Sequence, residues 1–210
     1  MHVQWTVWLS FLYITAAKAE KLEVAVYYEA LCGDCIEFIT TQLYPSFKNV
    51  EKYIDLDLVT FGKATADNSS GHWKFTCQHG PLECYGNKIY SCVLKNNSTA
   101  SSLEFVNCGM NSNLNNNSLQ ICANKTGIPW ELIHRCLSSG EADYLLAKNG
   151  YKTKSVTPPI RFVPTIIFNG VYNESANQEA RKNFLKVVCQ LLKNKPPICK
   201  QLGILFNILM

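Results

Sequence analysis

Cys32 and Cys35 stand where a β-strand pattern gives way to a helix pattern. Residues 24–28 form a continuous apolar run, which is typical of a strand covered on both faces. Apolar residues then recur at helical spacing as far as Phe47, and Pro45 is expected to kink or end that helix. A sulfur at a helix start lies beside free backbone N–H groups and the positive end of the helix dipole, which favour a thiolate. The pair therefore predicts a dithiol in which Cys32 attacks a disulfide and Cys35 resolves the mixed disulfide.

The cysteine pair has two alternative roles, a zinc half-site and a structural disulfide. A zinc half-site needs a second CxxC or a paired-histidine motif, and neither is present, so no metal and no cofactor are expected. A permanent structural disulfide stays open, although closing so small a loop restricts the unfolded chain little.

The two ends of the chain supply the strands of one fold. Residues 53–59 alternate as a strand after the first helix, which completes a βαβ unit. A strand at 165–168, the Asn169-Gly170 turn, a second strand at 171–172 and a helix over 177–192 predict a ββα unit.

Pro164 directly precedes the strand at 165–168. It is either a simple strand-start proline or a cis-proline, and in thioredoxin-like folds the residue before that proline, here Val163, faces the sulfurs.

We expect an α/β, thioredoxin-like fold (βαβ plus ββα) with a large helical, disulfide-rich insertion. The predicted organisation is a signal peptide at 1–19, a βαβ half at 20–62, the insertion at 63–160, a ββα half at 161–199 and a tail at 200–210.

The insertion differs in character from the two halves. Helices are predicted over 114–123, 129–137 and 141–149, the last with a capping box from Ser138 to Glu141 and a stop at Gly150. Eight cysteines outside the CxxC are expected to be bridged, and Cys189 with Cys199 is the favoured local pair. These cysteines are Cys77, Cys84, Cys92, Cys108, Cys122, Cys136, Cys189 and Cys199.

The compartment follows from the N-terminus and the cysteine count. An apolar run ending in Ala17-Lys18-Ala19 predicts a cleaved signal peptide, and ten cysteines predict an oxidising, secretory route. A net charge of +4 with scattered lysines gives no reason to expect nucleic-acid binding, and no later run is long enough for a membrane span. Six N-glycosylation sequons support a lumenal route: Asn68, Asn96, Asn97, Asn116, Asn124 and Asn173.

One stretch carries a more specific signal. Residues 77–92 read CQHGPLECYGNKIYSC, which matches the CQHGxxECxxNxxxxC signature of the gamma-interferon-inducible lysosomal thiol reductase family. The stretches YYEALCGDC before it and FVPTIIFNG after it also resemble that family. The resemblance implies reduction of disulfide-containing protein substrates in endosomes or lysosomes, with a small thiol or a protein as electron donor. It also implies that Cys32 is the nucleophile, Cys35 the resolving cysteine and Val163-Pro164 the cis-proline element.

Two residues raise questions within this resemblance. Asp34 departs from a CGGC motif, and its charge would oppose the acidification of Cys32 that acid pH requires. His79 has two open roles. It lies near the dithiol as a proton donor or as a cation that favours the thiolate, or its segment folds the insertion around Cys77, Cys84 and Cys92 and caps a helix that begins near Pro81.

The leading hypothesis is a lumenal thiol oxidoreductase that reduces protein disulfides, at acidic pH in lysosomes or endosomes or after secretion. Two alternatives stay open at this point. One is a secreted binding or defence protein with a permanently oxidised CxxC, and the other is a disulfide-forming or isomerising enzyme.

Overall fold

The structure is a computed structural model that describes residues 20–208. Its centre is a three-stranded sheet of β1 (Leu22–Tyr28), β2 (Ile54–Thr60) and β5 (Thr165–Phe168), numbered along the chain, in the order β2-β1-β5. The central strand β1 pairs in parallel with β2 and antiparallel with β5. Because β1 has a partner on each edge and packing on both faces, its apolar run follows from its position. The predicted signal peptide lies outside the described residues.

The helical segment between β1 and β2 continues through Pro45. It consists of α1 (Gly33–Glu37), a π-helical stretch (Phe38–Leu43) and α2 (Tyr44–Val50). A proline donates no N–H to the helical ladder, and the wider turns before it adjust the backbone to this loss. The helix therefore does not end at Pro45, and the disturbance takes the form of a π-helical stretch.

Residues 63–160 hold a small β-hairpin followed by helices that pack on the sheet. One hydrophobic core contains Val26 of the sheet together with Phe105 and Leu119 of the helices, so this segment completes the core of the sheet. The hairpin pairs β3 (Thr65–Asp67) with β4 (Lys74–Thr76), and the helices are α3 (Pro81–Asn96), α4 (Thr99–Met110), α5 (Asn116–Thr126), α6 (Trp130–Ser138) and α7 (Glu141–Lys154).

Two details of α7 correct the expectation from sequence. The helix passes through Gly150, where a Cβ would lie 2.6 Å from the ring of Phe61, so this glycine serves close packing and not helix termination. The capping box from Ser138 to Glu141 is also wrong. Ser138 is still part of α6, and the N–H of Glu141 donates instead to Ser139 Oγ at 3.4 Å.

The chain ends with two helices, α8 (Glu174–Leu191) and α9 (Pro197–Ile208). Asn169 and Gly170 both have positive φ, as a tight hairpin turn requires, but the expected second strand is reduced to one bridge between Phe168 and Val171. Asn173 caps α8 two residues later, so the chain enters the helix before a second strand can form. Within residues 20–208, none of the helices has the length and apolar character that a membrane crossing requires.

The buried side chain of Asn87 ties α3 to the carboxyl ends of β1 and β2. Its Oδ1 accepts hydrogen bonds from the N–H of Ala30 at 2.9 Å and from the hydroxyl of Thr60 at 2.8 Å. Asn149 of α7 donates to the carbonyl of Thr60 at 3.3 Å and to Ser91 Oγ at 3.2 Å. Two insertion helices are therefore anchored at the strand ends next to the cysteine pair.

We expect Asn87→Ala to destabilise the fold by about 2–4 kcal/mol, because each buried donor left unpaired costs about 1–3 kcal/mol. Chemical denaturation measures the free energy of unfolding. Asn96→Ala is the matched control, since Asn96 lies on the same helix but is exposed. Both variants are compared in protein made without glycans. Equal stability of the two variants would contradict the anchoring role of Asn87.

Candidate active site

Cys32 is the N-cap residue of α1. It follows the end of β1 through a short turn, and its extended backbone (φ −68°, ψ 120°) directs the sulfur at the first turn of the helix. The Sγ atom accepts the backbone N–H of Cys35 at 3.4 Å. The residue retains only 7% of its accessible surface, so the sulfur meets solvent over a small area.

The pKa of Cys32 is lowered to about 7, chiefly by a hydrogen bond from the thiol of Cys35. Burial opposes this change, the backbone N–H of Cys35 adds to it, and the charges of Glu29 and Asp34 raise the pKa again. The Asp34 charge thus acts in the direction that the sequence indicates, but the hydrogen bonds from Cys35 outweigh it.

Cys35 has the opposite environment. It is fully buried, and burial raises its pKa far above that of an ordinary thiol. Cys32 and Cys35 are both unbonded in the structure. The site therefore contains an acidic, slightly exposed sulfur beside a buried sulfur that stays protonated.

The loop before β5 faces this pair. The Val163-Pro164 peptide bond is cis, and the sulfur of Cys32 lies 3.6 Å from the carbonyl oxygen of Val163. The thiol form of Cys32 can donate to this oxygen, whereas the thiolate form accepts from Cys35. A second cis bond, Thr157-Pro158, was not anticipated from the sequence.

Helix α8 holds this loop from behind. The guanidinium of Arg181 lies 4.7 Å from the ring centroid of Phe162, which precedes Val163. The buried side chain of Asn177 accepts the N–H of Ile166 in β5 at 2.8 Å. Edge-to-face contact between Phe184 and Phe38, at 5.8 Å, joins α8 to the helix that follows the cysteines.

The start of α3 brings a charged cluster to the other side of the pair. Gly80 is the N-cap with φ +88°, a backbone conformation that only glycine adopts readily, and the helix begins at Pro81. Glu83 accepts the backbone N–H of His79 at 3.0 Å, and its other oxygen lies 2.5 Å from His79 Nδ1. The same Nδ1 lies 3.7 Å from an oxygen of Glu29, which is fully buried at the end of β1.

These contacts bear on the two roles that the sequence leaves open for His79. Its segment lies between Cys77 and Cys84, which form a disulfide, and its backbone N–H donates to the Glu83 side chain, although α3 has no side-chain hydrogen bond at its N-cap Gly80. The ring also interacts electrostatically with Cys32, and its pKa is raised, first by the hydrogen bond to Glu83 and further by the charges of Glu83, Glu29 and Cys32. The donor atoms of Glu29, His79 and Glu83 lie within 4.8 Å of one another, as a metal site would require. His79 Nδ1 is already paired with Glu83, so we interpret the cluster as an ion-pair network.

The remaining eight cysteines are joined in four disulfides. One of these, Cys189–Cys199, is the pair favoured from the sequence. Cys92–Cys136 joins α3 to α6, and Cys108–Cys122 joins α4 to α5. Cys77–Cys84 closes the loop before α3, and Cys189–Cys199 joins α8 to α9.

The predicted glycosylation sequons lie mainly on the surface. Asn97 is the half-buried member, and its amide donates to the carbonyl of Val93 at 2.8 Å. The exposed members are Asn68, Asn96, Asn116, Asn124 and Asn173.

The fold has clear relatives among solved structures. A reduced DsbA from Mycobacterium tuberculosis superposes with a TM-score of 0.58 at 14% identity, covering 90% of this chain and 94% of that one. DsbA from Chlamydia trachomatis superposes with a TM-score of 0.57 at 16% identity, covering 81% and 86%. The expected thioredoxin-like fold is confirmed.

The sequence comparison identifies the family. The profile of the Gamma interferon inducible lysosomal thiol reductase (GILT) family matches residues 23–126. GILT-like protein 1 of Drosophila melanogaster is 36% identical over 210 residues, covering 92% of this chain and 84% of that protein. The Gamma-interferon-inducible lysosomal thiol reductase of Mus musculus is 30% identical over 186 residues, covering 87% and 73%. The fold and these relatives define a thiol-disulfide oxidoreductase. The chain belongs to the gamma-interferon-inducible lysosomal thiol reductase family.

Three site residues had no role assigned from the sequence. Glu29 belongs to neither the CxxC motif nor the CQHGxxECxxN signature. A carboxylate at the end of an apolar strand is nevertheless a signal, because a buried glutamate is rare unless it has a charged or hydrogen-bonding partner. Glu83 and Asn87 belong to the CQHGxxECxxN signature, but only the tertiary structure reveals their partners at the strand ends.

We expect Asp34→Asn to lower the pKa of Cys32 by less than about one unit, because an exposed charge contributes about 1 kcal/mol or less. The thiolate absorbance of the reduced protein, followed against pH, measures this pKa. Glu37→Gln is the matched control, since Glu37 is an exposed carboxylate on the same helix and does not contribute to the Cys32 shift. An unchanged or higher pKa in Asp34→Asn would show that the Asp34 charge does not oppose the thiolate.

Proposed function

We propose that this protein reduces disulfide bonds in protein substrates through Cys32 and Cys35, with Cys32 as nucleophile and Cys35 as resolving cysteine. The observation that carries the proposal is the difference between the two thiols. Cys32 has a pKa lowered to about 7 and some exposure, while Cys35 is buried with a raised pKa. Such a difference sets the order of the two steps, because the more accessible and more acidic thiol, Cys32, reacts first with the substrate, and the fully buried thiol of Cys35 attacks Cys32 afterwards.

The chemistry proceeds by two displacements. The Cys32 thiolate attacks one sulfur of the substrate disulfide, a mixed disulfide forms, and the other substrate sulfur leaves as a thiolate. Cys35 then loses its proton and attacks the sulfur of Cys32, which closes the Cys32–Cys35 disulfide and releases the second substrate thiol. The carbonyl oxygen of Val163 lies 3.6 Å from the Cys32 sulfur, so in this proposal the Val163-Pro164 loop flanks the incoming substrate sulfur.

The proposed setting is the lumen of endosomes or lysosomes, reached by a secretory route. Support comes from the family name, the N-terminal signal pattern, the four disulfides and the sequons on exposed residues. A small thiol or a protein dithiol would return the pair to its reduced state.

We expect Cys32→Ser to abolish reduction of insulin disulfides, because no other described cysteine is unpaired except the buried Cys35. Cys35→Ser is expected to accumulate mixed disulfides, visible as added mass on intact protein. Full activity of Cys32→Ser would refute the proposal. A wild-type pair that is reduced only below about −300 mV would instead indicate a permanent structural disulfide.

We expect the first displacement to slow about tenfold for each pH unit below about 7, the pKa of Cys32. At pH 5 about 1% of Cys32 is thiolate, which is roughly 30-fold more than for an unperturbed thiol of pKa ~8.5. The rate of alkylation of the reduced protein by iodoacetamide measures this profile. Cys35→Ala should move the midpoint upward, since the hydrogen bond from the Cys35 thiol is the main cause of the low pKa. A midpoint unaffected by Cys35→Ala would contradict this assignment.

A further inference from the structure

A cleft lies beside the cysteine pair, between the helix that carries the pair and α8. Its volume is about 320 Å³. Asp34 and Glu37 of α1 line one wall, and Arg181 and Lys182 of α8 line the other. Asp34 is one of the two residues between the cysteines, and its charge acts on Cys32. A small molecule held in this cleft would therefore have its reactive group near the Cys32 sulfur.

The charges of the two walls face the same space without meeting. Within residues 20–208 no ion pair crosses the cleft, and none of the four charged side chains forms an ion pair elsewhere. Arg181 and Lys182 act electrostatically on Glu174 and Glu179 of their own helix, but neither contact is close enough to be an ion pair. The cleft thus offers a positive and a negative binding surface together.

Arg181 differs from an ordinary surface arginine because it is held in place. Its guanidinium lies 4.7 Å from the ring centroid of Phe162, and its Nε is buried without a hydrogen-bond partner. Phe162 precedes Val163, whose carbonyl oxygen lies 3.6 Å from the sulfur of Cys32. A fixed guanidinium with unused donors favours a carboxylate, which it can bind through two parallel hydrogen bonds. This wall therefore offers a carboxylate site next to the loop that faces Cys32.

The acidic wall bears on the thiol that reduces the cysteine pair again after each turnover. The charges of Glu29 and Asp34 raise the pKa of Cys32, so they oppose an anion at this sulfur. A reducing thiol brings in such an anion, because the thiolate is the attacking form. A positive group on the same molecule offsets this repulsion and can pair with Asp34 or Glu37.

We infer that this cleft binds the electron donor, and that the donor is a small thiol which carries both an ammonium and a carboxylate group. The carboxylate pairs with Arg181 and Lys182, and the ammonium pairs with Asp34 and Glu37. The inference rests on the proposed function, because it identifies the class of molecule that returns the cysteine pair to its reduced state.

Reduction of the oxidised pair takes two displacements. The donor thiol releases its proton to solvent, and its thiolate attacks Cys32 Sγ. The Cys32–Cys35 bond breaks, and the Cys35 sulfur leaves with the electron pair and takes up a proton from solvent. A second donor thiolate attacks the donor sulfur of the mixed disulfide, which forms the donor disulfide and releases the Cys32 thiolate. Two donor thiols are oxidised by two electrons in all, and the protein disulfide is reduced by two.

The test measures how fast small thiols reduce the oxidised full-length protein at about pH 6, where amines are protonated and carboxylates are ionised. Rapid alkylation followed by intact mass counts the two regained thiols. Free cysteine carries both charged groups, cysteine methyl ester lacks the carboxylate, N-acetylcysteine lacks the ammonium, and 2-mercaptoethanol lacks both. Each rate constant is corrected for the thiolate fraction and the nucleophilicity of the thiol.

Free cysteine should react about threefold to fivefold faster than each analogue that lacks one group, which is the size expected of an exposed ion pair. Glutathione carries the same groups on a longer frame and separates the two sources of this chemistry. A corrected rate above that of free cysteine assigns the cleft to peptide thiols, and a lower one assigns it to free amino acids. Equal corrected rates for free cysteine and its three analogues would overturn the inference.

Variants of the two walls assign the charges. Lys182→Gln should lower the preference for free cysteine over cysteine methyl ester by about twofold or more, and Glu37→Gln should do the same for its preference over N-acetylcysteine. Both side chains are exposed, which favours retention of the fold, and Glu37 does not contribute to the Cys32 pKa. Lys148→Gln, an exposed lysine of α7 outside the cleft, is the matched control and should keep both preferences. Preferences that persist in both wall variants would overturn the inference.

The insulin assay with dithiothreitol, a donor without charged groups, separates the two proposals. Absence of catalysed insulin reduction by the wild type in this assay would refute the proposed function. Normal insulin reduction together with equal corrected rates for the four thiols would overturn the inference alone. Wall variants that slow insulin reduction by dithiothreitol but keep the thiol preferences would show that the cleft holds the substrate protein, which also overturns the inference.

Discussion

The hydrogen bonds of the buried Asn87 carboxamide hold the site together. The carboxamide oxygen accepts hydrogen bonds from the N–H of Ala30, two residues before Cys32, and from the hydroxyl of Thr60 at the end of the neighbouring strand. These contacts bring α3 so close to the active-site turn that a Cβ on Gly86 would lie 2.7 Å from Ala30 Cβ. An apolar side chain at position 87 would fill the space but leave two buried donors unpaired.

This docking determines the electrostatics of the dithiol. Because α3 begins where the strands end, His79 and Glu83 lie against Glu29. The charge of Glu29 raises the pKa of both thiols. Opposed effects act on the pKa of Cys32. Hydrogen bonds from Cys35 favour the Cys32 thiolate, while burial and the charges of Glu29 and Asp34 oppose it. The net result is a moderate acidification and not an extreme one, since three unfavourable effects stand against the hydrogen bonds.

The predictable parts of the structure have strong local signals. The βαβ unit followed from the apolar run of β1 and the alternation of β2, and the start of α3 followed from Gly80-Pro81. The less predictable parts depend on contacts between distant residues. The sequence predicts a helix stop at Gly150, because the packing of this glycine against Phe61 is not visible in the local pattern. The strand expected after Asn169-Gly170 is reduced to one bridge because Asn173 begins α8 almost at once.

The sequence by itself determined the class of chemistry, because a strand, a CxxC and a helix in that order place a sulfur at a helix start whatever the rest of the chain does. It also determined the family, through the signature at residues 77–92. Only the tertiary structure decided which groups surround the sulfurs. His79 and Glu83 are four residues apart in that signature, but Glu29 lies 50 residues before His79, so its contact with them depends on how α3 docks on the strand ends. Hydrogen bonding and burial, with smaller contributions from the neighbouring charges, set the pKa values of both thiols, and these contacts exist only in the folded chain.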